Sequence, residues 1–505
     1  MRGAIADDDP HRGTVGAVPL VSASGPPHRR CSASARPARR GTALLTALGA
    51  TLVHVALTGA TGFLGLRLLR RLLDTHAWVT VLAHAGSGDA LHRITRSLEL
   101  TGAPSAFLAR LPERLRVVET DLALPRLGLS ARAFRELADS LGAIWHSAGS
   151  IHLEGDLPEL RRTNVEGTRH VLELAAAGRA EPVVRHVSTA FVAGARRTGV
   201  AYEDELDDGA GFENPYEQSK YEAELLVHAW SREHGRPALV LRPSILVTDV
   251  PPHPELPSHP LQVVERILRD ARRAAVAAPP TAPGLPTGAP DGPSHGAPGS
   301  PGPGARPRVR TVGHPHGRLN LLPVEHAADV MVRLSELPSS HGVDTYHVVH
   351  DRDVPVPTVV ALLERLVPLS IDLVDAKPED PSPLEAMIDF YPGITAYLTH
   401  RRRFDDTRVR TLLGPAAVCA PVGLDRLWSG LAPEERGAPR PPGHPTRPYA
   451  RTVRLNFPYV ADGVRPTSSN RPTPLELPCP YSPLLAPLPC VRRSSPPRGS
   501  PTVSG

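Results

Sequence analysis

The stretch 53–65, VHVALTGATGFLG, constrains this chain more than any other. Val53-His54-Val55-Ala56-Leu57 is a short apolar run rich in β-branched residues, the composition of a buried strand. It leads into Gly59, Gly62 and Gly65, and then into Leu66, Leu68, Leu69, Leu72 and Leu73 at helical spacing. The first glycine permits a tight turn, the second lets a pyrophosphate approach the backbone, and the third lets the helix pack closely on the strand. The N–H groups and positive dipole end of that helix would face the phosphates. The glycines alone fit an ordinary strand-to-helix turn equally well; the pattern on both sides favours the phosphate-binding reading.

That pattern continues. Strands are expected at 78–83, 115–118, 143–146, 183–187 and 238–241, separated by helical segments at 89–100, 131–140, 157–177 and 214–228. Alternation of this kind specifies an α/β fold, a doubly wound parallel sheet of Rossmann type with right-handed crossovers and helices on both faces. A cofactor would lie across the carboxyl ends of the strands. Further helices are expected at 261–278, 324–337 and 356–366, a strand at 345–349, and a largely helical stretch at 381–413.

Composition limits how much of the 505 residues can join that core. The 58 prolines and 42 glycines crowd the first fifty residues, a stretch from about 251 to 310, and everything after about 432. Such segments cannot easily bury a core. The expected organisation is a disordered arm at 1–50, an NAD(P)-binding domain at 51–250 and a substrate-side helix at 251–278. A Pro/Gly-rich linker follows at 279–310, then a small substrate-binding subdomain at 311–430 returning to the sheet, and a disordered tail at 431–505. The net charge of +5 is mild and much of it lies in arginine-rich tails, so no nucleic-acid groove is implied. Cys31, Cys419, Cys479 and Cys490 lack zinc-type spacing, so no metal site is expected and a reducing, cytoplasmic compartment is the natural reading. No stretch is apolar for long enough to span a membrane. Arg39-Arg40 followed by 42–48 faintly resembles a twin-arginine export signal, but the apolar run enters the first strand without a clear cleavage site.

Two clusters could carry chemistry. Tyr216 and Lys220 stand four apart on a helix and share a face. A nearby ammonium favours the phenolate and would lower the tyrosine pKa. Ser188 and Thr189 end the strand at 183–187, and either hydroxyl could hydrogen-bond a substrate carbonyl beside the tyrosine. The other would serve as a backbone cap.

With these pieces the chain resembles an extended short-chain dehydrogenase/reductase. Within that superfamily it is most similar to the thioester reductase branch, which includes the male sterility-type NAD(P)-binding domain of fatty acyl-CoA reductases. The matching pieces are TGATGFLG at 58–65, TDLALPRLGLS at 120–130, IWHSAGS at 144–150 and LRRTNVEGT at 160–168. They continue with HVSTAFVAG at 186–194, NPYEQSKYEAE at 214–224, LRPSI at 241–245 and GRLNLLPVEHAADV at 317–330. The resemblance implies that Gly59, Gly62 and Gly65 line the pyrophosphate with Thr61, Phe63 and Leu64 close by. It places Asp121 and Leu122 at the adenine, Ala148 along the cofactor, and Pro243 and Ser244 at its nicotinamide end. Thr189, Tyr216 and Lys220 would be catalytic, with Ser188 as a second hydroxyl and Asn164 holding the backbone beside the site. His84 stands where many relatives carry an arginine for the 2′-phosphate of NADP. No acidic residue replaces that arginine and Arg93 could substitute, so NADP(H) is favoured over NAD(H).

The implied activity is NAD(P)H-dependent reduction of an acyl thioester, bound to coenzyme A or to a carrier protein, to an aldehyde or alcohol. Epimerase, dehydratase or dehydrogenase action on a nucleotide sugar or hydroxy-steroid uses the same scaffold. A cofactor-binding protein without turnover is a third reading, and it has no need of Thr189, Tyr216 and Lys220 together. The sequence leaves the oligomeric state open.

Overall fold

The computed structural model describes residues 54–86, 88–277, 306–340, 342–389 and 391–431. The expected arm at 1–50, most of the expected linker and almost all of the expected tail lie outside them. So do three of the four cysteines.

Val55–Thr58 forms β1, buried at every position. Phe63–Thr75 forms α1, with Gly62 as an N-cap that brings no side chain to the first N–H groups. Leu66, Leu68, Leu69, Leu72 and Leu73 make its buried face, each stabilising the packing by about 2 kcal/mol. Val79–His84 is β2, Ala90–Leu100 is α2 and Leu115–Thr120 is β3. Ala131–Ser140 (α3) starts on a Ser130 cap and leads to Ala143–His146 (β4). Gly167–Ala177 is α4, Val183–Val187 is β5, Pro215–His234 is α5 and Ala238–Pro243 is β6. Pro260–Ala277 is α6, Val324–Ser335 is α7, Val343–Val348 is β7 and Val356–Leu366 is α8.

Seven strands form one sheet in the order β7-β6-β5-β4-β1-β2-β3, all parallel. The strand order reverses between β1 and β4, which opens a crevice at their carboxyl ends. One apolar core joins the sheet to α1, α2 and α7; a second joins its other face to α3, α4 and α5. A third core draws on α6, α8, the chain after Arg308, and Phe191 and Val247, which follow β5 and β6.

Three expectations need correction. The segment 157–177 is not one uniform helix: Leu157–Arg161 and Gly167–Ala177 are α-helical, but Arg162–Glu166 is a π turn centred on Asn164. The stretch 381–413 is broken into short pieces, two of which begin on a proline, Pro383 and Pro392, whose missing N–H keeps each from continuing a helix before it. The expected linker ends early: Arg308–Val312 is a strand paired in parallel with Ser370–Val374. No described helix is long and apolar enough to cross a membrane.

Candidate active site

The glycine turn sits at the crevice. Gly59 has φ +74°, and a Cβ there would lie 2.7 Å from the backbone nitrogen of Ala148. A Cβ on Gly65 would clash severely with the Gly59 carbonyl oxygen, so only glycine lets α1 start so close to the strand. Gly62 differs: its Cβ would meet only the Gly59 oxygen, at 3.2 Å. Backbone and neighbours therefore require Gly59 and Gly65, while the outer side of Gly62 is an open cradle. Thr61, Phe63 and Leu64 flank it, partly exposed.

The other expected cofactor residues stand at or beyond the carboxyl ends of the strands, or on the helix after β2. His84 ends β2 and Arg93 lies on α2, both exposed. Asp121 and Leu122 follow β3; the Asp121 carboxylate accepts from the Ala123 N–H at 2.8 Å and the Leu122 carbonyl bonds His170. Ala148 follows β4 and Pro243 ends β6. Ser244 is buried, and its hydroxyl has no hydrogen-bond partner among the described residues. An open glycine cradle, an uncapped helix start and an idle buried hydroxyl fit a nucleotide cofactor.

The structure brings Thr189, Tyr216 and Lys220 together. Asn214 caps α5 by accepting from the Glu217 N–H at 3.0 Å, and Pro215 opens its first turn. Tyr216 and Lys220 then project from one face. The Thr189 hydroxyl accepts from the Phe191 N–H at 3.3 Å, so of the two neighbouring hydroxyls it is the backbone cap, and it also lies beside the Tyr216 phenol, where it favours the ionised form. The Lys220 Nζ donates to the Val187 carbonyl at 2.8 Å, at the end of the strand that carries Thr189. Ser188 faces the other way and donates to Glu224 at 2.6 Å. Glu224 is fully buried and ion-paired with Arg242; burial opposes its charge, but Arg242 and Ser188 hold its carboxyl down to about 2. The two neighbouring hydroxyls thus divide: Thr189 faces the phenol and Ser188 braces a buried ion pair.

One electrostatic expectation fails in the protein alone. Burial pushes the Tyr216 phenol up to about 12; the Thr189 contact acts to lower it and the Glu217 charge to raise it further. The Lys220 ammonium is turned to a carbonyl, and burial brings its own pKa down to about 8 against the pull of Glu224.

Asn164 is consumed by positioning. Its Oδ1 accepts from the Ser150 N–H at 2.7 Å, and its Nδ2 donates to the Ser150 carbonyl at 2.9 Å and to the Ser219 hydroxyl at 2.8 Å. Ser219 in turn donates to the Tyr216 carbonyl at 2.8 Å. Sequence reasoning missed Ser219 and also His146, which was read only as a strand end. His146 is buried between Thr58 and Thr168, and burial, with Lys220 adding, drops its pKa to about 3. The available signal was a histidine closing an otherwise apolar strand.

A cavity of about 280 Å³ lies beside the start of α1, lined by Phe63, Arg67, Thr248, Gln262 and Glu265 among others. It touches the glycine turn through Phe63, but none of the catalytic candidates lines it. Among the described residues no cluster of His, Cys, Asp or Glu could hold a metal ion, and Cys419 is unpaired.

Residues 57–260 match the family model described as "Male sterility protein". Over 194 residues the chain is 39% identical to the isonitrile lipopeptide synthase of Streptomyces coeruleorubidus, covering 37% of this chain and 13% of that protein. Against the L-2-aminoadipate reductase large subunit of Eremothecium gossypii it is 32% identical over 209 residues, covering 38% and 15%. The match thus spans only a small part of these relatives. The fold is similar to the terminal R domain from the myxalamid PKS-NRPS biosynthetic pathway, with TM-score 0.56, 24% identity and coverage of 75% of this chain and 90% of that one. It is also similar to the reductase (R) domain of a nonribosomal peptide synthetase from Mycobacterium tuberculosis, with TM-score 0.52, 22% identity and the same coverages.

Proposed function

We propose that this chain, a member through residues 57–260 of the male sterility-type branch of extended short-chain dehydrogenases/reductases and so an NAD(P)-dependent oxidoreductase, reduces an acyl thioester carried on a partner protein or on coenzyme A. The observation that carries the reading is the meeting of Thr189, Tyr216 and Lys220 on the β5 side of the crevice. The names of the relatives support the substrate class, since an isonitrile lipopeptide synthase and a nonribosomal peptide synthetase reductase domain are among them.

The cofactor would rest its pyrophosphate on Gly59, Thr61, Gly62 and the N–H groups of Phe63, Leu64 and Gly65. Asp121 and Leu122 would border the adenine, and Ala148, Pro243 and Ser244 the nicotinamide end. His84 and Arg93 would face the ribose 2′ position, which favours NADP(H). When bound, the cofactor supplies a hydride to the thioester carbonyl carbon. Thr189 and Tyr216 hold the carbonyl oxygen through two hydrogen bonds and stabilise its developing charge. Tyr216 gives its proton to that oxygen, forming a hemithioacetal. Lys220, whose ammonium donates to the Val187 carbonyl in the protein alone, would hold the nicotinamide ribose. The hemithioacetal hydroxyl then gives up its proton as the C–S bond breaks, the sulfur takes up a proton and leaves as a thiol, and an aldehyde remains. A second reduction of the aldehyde would give the alcohol. Ser188 and Asn164 act by holding β5 and the loop after β4 in place.

The reading is tested by mixing the protein with NADPH or NADH and short- and long-chain acyl-CoA or a carrier-bound thioester. The expected result is loss of NADPH absorbance matched by aldehyde or alcohol in the mass spectrum. Tight cofactor binding with no thioester consumed would overturn it.

A further inference from the structure

The first turn of α5 carries a second buried acid, at the residue next to Tyr216. Glu217 is wholly buried, and each carboxylate oxygen has a partner. Oε1 accepts from the Tyr397 hydroxyl at 2.8 Å, and Oε2 from the Glu213 backbone N–H at 2.9 Å. Tyr397 comes from a distant part of the chain, the short 3-10 turn Ala396–Thr399. Its hydroxyl also accepts from the Asn214 Nδ2 at 2.9 Å.

Asn214 therefore does two things at once. Its Oδ1 caps the helix, and its Nδ2 holds Tyr397. Serine or aspartate would cap as well, but neither brings a side-chain nitrogen donor. The same 392–404 segment seals the turn from outside. Gly393 donates to Glu154 at 2.6 Å, and a Cβ on it would press on Asn214 at 3.3 Å. The Tyr397 ring meets Phe191 edge-on at 4.9 Å. The charged groups facing Glu217 are Arg402, which lies over the rings of Phe191 and Phe404, and Glu213, which is itself bonded to His400 and paired with Arg197. Tyr397 and Tyr216 complete the set.

We propose that Tyr397 and Glu217 are positioning residues for Tyr216: they clamp the C-terminal segment onto the first turn of α5, so the acidity of the Tyr216 phenol follows the protonation of the clamp. The inference rests on the reading of Tyr216 as the proton donor. Burial raises the Glu217 carboxyl to about 7, although the Glu213 N–H, Arg402 and Tyr397 all favour its charge. Above that pH the carboxylate opposes ionisation of the adjacent phenol; below it the opposition is gone. Reduction therefore speeds up as pH falls through about 7. Removing the Tyr397 hydroxyl withdraws a donor from the carboxylate and moves that step to higher pH.

The experiment compares pH profiles of kcat and KM for the wild type, Glu217→Gln, Tyr397→Phe and Asn214→Ser, alongside infrared titration of the Glu217 carboxyl. In Glu217→Gln the step near 7 should vanish. In Tyr397→Phe it should move upward. In Asn214→Ser, which keeps the cap, kcat should change about tenfold with KM for thioester unaltered, the scale of one hydrogen bond to a charged pair. A Glu217→Gln protein that keeps the step, or a Tyr397→Phe protein whose step stays put, overturns the proposal. If the wild type reduces no thioester, the reading of the reaction has failed, yet the infrared titration still decides the clamp. A carboxyl band that titrates near 7 and shifts in Tyr397→Phe supports the clamp, and one that does neither overturns it.

Discussion

The Thr58 hydroxyl stands 2.9 Å from Nδ1 of His146, and the direction of that bond can be deduced. Thr168 donates its only hydroxyl proton to the Asn164 carbonyl at 2.6 Å, so it must accept from His146 Nε2–H at 3.0 Å. His146 Nδ1 is then an acceptor, and Thr58 donates to it. The Thr58 oxygen in turn accepts from the Ser147 and Ala148 N–H groups, each at 3.1 Å. Through Asn164 and Ser219 the hydrogen bonds reach the Tyr216 carbonyl. One neutral histidine thus connects the residue before the glycine turn to the helix that carries the phenol.

His146→Leu is expected to lower stability by about 2–4 kcal/mol, because Thr58 and Thr168 would be left buried with unmet hydrogen bonds. His146→Gln, which can both donate and accept, should recover part of the loss. Chemical denaturation of the three proteins measures it, and nitrogen NMR of the wild type should show a neutral ring protonated at Nε2.

Lys220 couples activity to stability in opposite senses. Its folded pKa of about 8 lies below the ordinary lysine value of about 10.4. Between the two the unfolded chain binds more protons, so stability should rise with pH across that window and be flat below it. Lys220→Met should remove the slope, raise the thermal midpoint at pH 7 and abolish reduction. Thermal melts at a series of pH values, paired with NADPH oxidation, give both readouts.

The glycines of the turn should fail differently. Gly65→Ala forces a Cβ into the Gly59 carbonyl, so the expected result is misfolding or loss of several kcal/mol. Gly62→Ala has only the Gly59 oxygen at 3.2 Å to displace, so the fold should survive and cofactor affinity should fall. Circular dichroism melts and NADPH fluorescence titration separate the two.

Ser188 and Thr189 are neighbours with separate tasks. Thr189→Ala should lower kcat by about 10²-fold, as expected for removing one donor to a developing oxyanion, and cost about 1 kcal/mol because its hydroxyl also caps the turn Ala190–Ala193. Ser188→Ala should leave chemistry nearly intact but destabilise by about 1–3 kcal/mol, since it takes a partner from the buried Glu224 carboxylate. A single set of kinetics and melts on both variants checks the division.

Local sequence was enough to specify the sheet, the turn and the candidate side chains Thr189, Tyr216 and Lys220. Strand and helix periods at 53–75 and beyond are local signals, and hydrophobic burial enforces them wherever they occur. The pairing of Tyr216 with Lys220 was equally legible, because residues four apart on a helix always lie about one turn from each other. Long-range packing settled which of Ser188 and Thr189 faces the phenol, since that depends on Glu224 and Arg242 arriving from α5 and β6. It put Asn164 in a π turn and made His146 a connector. It also raised the Tyr216 phenol rather than lowering it, and closed Tyr397 on the first turn of α5 from nearly two hundred residues away. Those outcomes rest on burial and on hydrogen bonds between residues remote in sequence, and neither has a local period to read.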